Sequence, residues 1–227
     1  MNYELKNLPE RTTKPRQYGF TMAMDKGLSI RAAEDFASIC ADHVDIVKLG
    51  WATSFVTPNL KDKLKVYKEA GIPVYFGGTL FEAFVIRNQF DDYRRLLDKF
   101  DMSFAEVSDG SIELDHDKKC DYIVKLSEQV TVLSEVGSKD ADKIIPPYMW
   151  IDLMQKELDA GAWKVQARSQ PVQATCAALP RPPNTIEPVA PSSSGIATMM
   201  VDSTGISPRS EAPHCSSVCN SAGWAAI

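Results

Sequence analysis

Short apolar runs alternate with longer amphipathic stretches along the first 165 residues. The apolar runs are YGFTMAM (18–24), VDIVKLG (44–50), PVYFGG (73–78), SFAEVS (103–108) and TVLSEVG (131–137). Their length and β-branched or aromatic content predict buried strands. Segments 30–41, 59–70, 79–100, 115–128 and 149–160 lie between and after them and read as helices. In the second of these, Leu60, Leu64, Tyr67 and Lys68 follow i, i+4, i+7, i+8 spacing, with Lys and Asp on the other face. Ala-Gly at 70–71 and at 160–161 marks helix stops, and AWKV (162–165) opens a sixth strand. Strand starts recur roughly every 25–30 residues, the length of one βα unit. Such repetition predicts an α/β fold with a parallel sheet, either doubly wound or closed as a barrel. No G-x-G-x-x-G follows the first strand, which speaks against dinucleotide binding.

The pattern stops at Val165. Residues 166–227 hold eight of the 14 prolines, ten serines and three of the five cysteines, without a lysine, phenylalanine or tyrosine. Stretches such as LPRPPNTIEPVAPSSSG carry no periodicity, so the tail reads as disordered or extended low-complexity sequence with no second domain after it. Cys215 and Cys219 have only His214 beside them, short of the four ligands of a zinc site, and are read as free thiols. The net charge of −5 belongs to residues 1–165, and no basic stripe interleaved with aromatics points to nucleic acid. No apolar run approaches the ~20 residues that span a bilayer, and the polar N-terminus lacks a signal-peptide core. A cytoplasmic protein without membrane partners is expected.

Polar residues gather where a parallel barrel keeps its function, at the C-terminal ends of strands. Lys26 follows the first strand and Lys48 lies near the end of the second. Gly77, Gly78 and Thr79 close the third, with Glu82 in the helix they open. Glu106, Ser108, Asp109 and Ser111 end the fourth; Glu135 and Lys139 end the fifth. Singly, each is ordinarily a solvated residue, a structural ion pair or a tight turn; five consecutive strand ends point to a functional face. Lysines suit an anionic substrate. N–H groups of a glycine turn opening a helix can cradle phosphate or carboxylate. Neighbouring carboxylates could hold Mg²⁺. The residues predict metal-assisted chemistry on a small, strongly anionic compound.

The blocks MDKGLS (24–29), DIVKLGWATS (45–54), VYFGGTLFE (74–82), EVSDGSIEL (106–114) and LSEVGSK (133–139), with DAGAWKV (159–165), closely resemble the phosphosulfolactate synthase family. The resemblance implies a (β/α)8 TIM barrel, here incomplete with five to six βα units over 1–165. It implies a Mg²⁺-dependent carbon–sulfur lyase adding sulfite to phosphoenolpyruvate to give (R)-2-phospho-3-sulfolactate, a step toward coenzyme M or sulfolactate. It further implies Lys139 as the acid, Lys48 as an electrostatic clamp and Glu106 and Glu135 as metal ligands. Substrate binding would fall to Lys26, Gly77, Gly78, Thr79, Ser108, Asp109 and Ser111, and a homo-oligomer is possible for intact members. After Val165 the family's E-A-R-E-S-G-like loop and later segments are missing, and the tail has the look of a shifted reading frame. An inactive truncated pseudoenzyme, or another Mg²⁺-dependent barrel enzyme on phosphorylated enols or ketoacids, are the competing readings.

Overall fold

The computed structural model describes residues 5–8, 10, 12–137 and 145–168, together with the backbone of 198–202. Six parallel strands lie side by side in chain order: β1 (Met22–Asp25), β2 (Ile46–Leu49), β3 (Val74–Phe76), β4 (Phe104–Ser108), β5 (Thr131–Val136) and β6 (Lys164–Arg168). Helices α1 (Ile30–Cys40), α2 (Thr53–Val56), α3 (Leu60–Glu69), α4 (Gly78–Val85), α5 (Phe90–Lys99), α6 (His116–Ser127) and α7 (Pro147–Asp159) connect them. The result is an α/β fold in the form of an incomplete barrel, as the sequence predicts.

Each strand alternates between two faces. Val47, Leu49, Phe76, Ala105, Val107, Val132, Val136 and Val165 pack under the helices in one large core. On the opposite, inner face Ile46, Tyr75 and Leu133 pack with Phe20, Met22, Phe104 and Trp163 to form a small apolar floor. Here Trp163 stands edge-on to Phe20 at 5.3 Å, and Lys164 Nζ donates to the carbonyl of Gln17 at 3.1 Å. Higher on the same face, the residues nearer the C-terminal ends are polar.

Local chemistry explains the helix ends. Ser29 accepts from the Ala32 N–H and Asp115 from the Asp117 and Lys118 N–H groups, capping α1 and α6. The single helix expected over 79–100 is two, α4 and α5, separated at Asn88, whose φ of 56° breaks the helical ladder. Asparagine tolerates that left-handed conformation better than most residues. Lys63, on the face assigned to solvent, is buried: its ammonium pairs with Asp25 at 2.6 Å, and the Tyr67 hydroxyl donates to the same carboxylate at 2.9 Å.

At the C-terminal side, β6 continues to Arg168, three residues past the point where the apolar pattern ends. Within the segment read as patternless, Thr198–Asp202 forms β7, which pairs antiparallel with β6 from Lys164↔Asp202 to Arg168↔Thr198. The rest of the predicted tail lies outside the described residues. Among the described residues no helix is long and apolar enough to cross a membrane.

Candidate active site

Strand register brings the polar inner-face residues together. Lys48 pairs in register with Tyr75, Ser108 with Glu135, and Glu135 with Gln166. Lys48, Tyr75, Glu106, Glu135 and Gln166 are all buried. The Lys48 ammonium donates to Glu106 Oε1 at 2.6 Å and to Glu135 Oε2 at 3.4 Å. The other Glu135 oxygen accepts from Arg168 Nε at 2.9 Å. Glu106 Oε1 also accepts from the Gly78 N–H at 2.8 Å, and Oε2 from Gln166 Nε2 at 3.1 Å.

The charges hold one another in place. Burial opposes the charged form of Lys48, but Glu106 and Glu135 outweigh it, so its pKa lies above that of an ordinary lysine. Burial likewise opposes ionisation of Glu135, and Lys48 and Arg168 outweigh it, holding its pKa below the usual glutamate value. The Tyr75 hydroxyl is pushed well above its usual range by burial and then by the Glu106 charge.

Two glycines let the backbone approach this network. A Cβ on Gly77 would fall 2.9 Å from Lys48 Cε. One on Gly78 would meet Ser108 Oγ, and would lie 2.6 Å from Ser108 Cβ and 2.8 Å from Glu106 Oε1. Neither glycine has a left-handed φ, so the requirement is space rather than backbone freedom. The turn expected to cradle an external anion gives its Gly78 N–H to Glu106 instead.

The loop after β4 is tied down from two sides. Ser108 Oγ donates to Glu82 Oε1, and the Ser111 N–H donates to Glu82 Oε2 at 3.2 Å. Asp109 accepts from Lys119 Nζ at 2.9 Å. That buried lysine also donates to the Glu135 carbonyl at 2.7 Å and pairs with Glu157 of α7 at 2.6 Å. Lys26 stands apart at the rim, its ammonium 4.8 Å from the Trp51 ring centroid. Thr79 is half-buried in α4, and Lys139 lies outside the described residues.

Lys48, Glu106, Glu135, Gly77 and Gly78 therefore form one network, while Ser108, Asp109 and Ser111 form its neighbouring loop. Sequence reasoning leaves out Tyr75, Gln166, Arg168 and Lys119. Gln166 and Arg168 share the inner face with Lys164 at spacing two, a strand signal that continues past Val165. Lys119 carries no such signal.

The expected Mg²⁺ ligation does not fit this arrangement. Every oxygen of Glu106 and Glu135 faces an N–H donor, and Lys48 stands between the two carboxylates. Mg²⁺ would require oxygens free to approach to about 2.1 Å and space for retained waters. Among the described residues no group of three or more His, Cys, Asp or Glu is placed to hold a metal ion.

The fold and the site define a class, that of α/β-barrel proteins with a buried charged network at the C-terminal ends of the strands. The model of the (2R)-phospho-3-sulfolactate synthase family matches residues 9–175, and the chain belongs to that family. It is 36% identical to a phosphosulfolactate synthase of Bacillus subtilis over 160 residues, 70% of this chain and 64% of the relative. Those of Methanocaldococcus jannaschii and Methanothermobacter thermautotrophicus are 38% and 35% identical, over 64% and 68% of this chain. The alignments cover 60% and 62% of those two relatives, so the chain spans about three-fifths of its relatives' length.

Proposed function

We propose that the chain carries the reaction centre of a phosphosulfolactate synthase, adding sulfite to phosphoenolpyruvate to give (R)-2-phospho-3-sulfolactate. The observation that carries this reading is the family match over 9–175, a span that contains the whole inner-face network. In this chemistry the sulfur lone pair of sulfite forms a C–S bond to the methylene carbon. The C=C pair moves toward the carboxylate as an enediolate, and a proton then reaches the carbon bearing the phosphate ester. No phosphate bond breaks.

An ammonium has three donors. Lys48 directs two at Glu106 and Glu135, which leaves one N–H for a substrate oxygen. Lys48 and Arg168 balance Glu106 and Glu135, so these four groups sum to no net charge. Attraction for the anionic substrates then comes from outside the four, with Lys26 at the rim and Lys139, the acid by resemblance, as the candidates. Buried N–H donors in a preorganised setting stabilise a developing enediolate more than water does. Cytoplasmic sulfonate synthesis, toward coenzyme M or sulfolactate, is the setting this reaction fits.

A second reading has its own observation. The edge of β6, where a closed barrel continues in parallel, carries the antiparallel β7. The chain would then be a folded family member without turnover. Incubating it with phosphoenolpyruvate and sulfite and following the phosphate ester by ³¹P NMR separates the two. A new sulfite-dependent ester resonance is expected. Its absence from a chain that melts cooperatively would reject the synthase reading in favour of the second.

A further inference from the structure

The buried carboxylate pair of Glu106 and Glu135 is the feature of this molecule most like a metal site, yet its surroundings are those of a site already supplied with a cation. Two carboxylates on neighbouring strands with little access to water need a positive charge between them. Lys48 Nζ occupies that position, 2.6 Å from one carboxylate and 3.4 Å from the other. Arg168 and Gln166 take the outer oxygens, and the Gly78 N–H shares Glu106 Oε1 with Lys48.

We propose that the Lys48 ammonium is the resident cation of this carboxylate pair, so that Glu106 and Glu135 hold a divalent metal only when Lys48 is neutralised. A Mg²⁺ ion and an ammonium within about 4 Å of each other would repel strongly at low dielectric. The lysine does not escape by losing its proton, because the two carboxylates hold its pKa above the ordinary value. The other partners take the outer oxygens, so that Glu135 Oε2 and one side of Glu106 Oε1 face the position that Lys48 holds. The glycine at 78 fits the same account. It brings a main-chain N–H onto Glu106 at a distance no side-chain-bearing residue would permit without displacing Ser108. The inference concerns this chain's own ion pairing and stands whether or not the synthase reading holds.

Mn²⁺ binding to the full chain, read by electron paramagnetic resonance, tests it directly, with Mn²⁺ as the visible probe for Mg²⁺. The expected isotherm is the same for the unaltered chain, Glu106→Gln and Glu135→Gln. Lys48→Met should gain one site, at least tenfold tighter than any site in the unaltered chain, and lose it again in Lys48→Met/Glu135→Gln. Its melting temperature should rise with added Mg²⁺ while that of the unaltered chain does not. A Mn²⁺ site in the unaltered chain that disappears on Glu106→Gln or Glu135→Gln overturns the proposal. So does a folded Lys48→Met chain that binds no additional Mn²⁺. Lys48→Met that stays unfolded with and without Mg²⁺ overturns it as well, since the metal should then take the ammonium's place.

Discussion

Glu135 illustrates how much can depend on one buried carboxylate. Its two oxygens face cations from different strands, Lys48 of β2 and Arg168 of β6, while its carbonyl accepts from Lys119 of α6. Burial raises its pKa and the two cations lower it further than burial raises it, so the folded value lies below the unfolded one. The folded state therefore binds fewer protons than the unfolded state around the ordinary glutamate pKa of about 4.3. This contribution to stability is complete above that value and is lost as pH falls through the depressed folded pKa. Urea midpoints measured from pH 6 to pH 3 should decline, and the decline should be shallower in Glu135→Gln. Parallel curves for the two chains would show that Glu135 is not a source of the acid sensitivity.

At the scale of elements, α6 and α7 meet through charge rather than apolar contact alone. Glu157 is fully buried, and Lys119 is the ammonium paired with it, with His116 Nδ1 farther off at 3.9 Å. Replacing Lys119 by Met leaves a buried carboxylate without that cation and should cost about 3–5 kcal/mol. Adding Glu157→Leu should recover part of the loss, because an apolar pair can replace a buried ion pair while the Asp109 and Glu135 carbonyl contacts of Lys119 stay lost. Urea unfolding of both single variants and the double gives the coupling; additive losses would contradict the pairing.

The same elements mark the limit of what the sequence makes legible. Apolar runs such as VDIVKLG and TVLSEVG reveal the strands, because parallel strands covered by helices are apolar on the helix-facing side. Alternation then places Lys48, Glu106 and Glu135 on the other side. Lys63 and Lys119 are illegible by that route: a helical pattern counts lysine as outward, and only the partners Asp25 and Glu157, brought close by the fold, make burial tolerable. The break between α4 and α5 depends on Asn88, whose left-handed φ leaves only a weak composition signal. Whether a carboxylate meets a metal or an ammonium is likewise decided across strands, since Lys48 and Glu135 are 87 residues apart.

At the scale of the whole fold, the sheet formed by the described residues is open, and its sixth strand pairs with an antiparallel neighbour. An unpaired edge exposes a row of backbone donors and acceptors. A chain ending at residue 197 lacks β7 and should lose amide protection in Lys164–Arg168, with exchange at least tenfold faster by mass spectrometry. Unchanged protection would mean that β7 does not secure this edge.

The apolar floor has a temporal consequence. Phe20 meets Trp163, and Gln17 meets Lys164, across more than 140 positions of the chain. Contacts this distant in sequence slow the search for the native state. During synthesis at about 5–20 residues per second, Phe20 and Gln17 emerge about 7–28 seconds before Trp163 and Lys164 exist. For that interval Phe20 lacks the Trp163 ring that stands edge-on to it in the finished fold, so one apolar side chain goes without its cover while the chain grows.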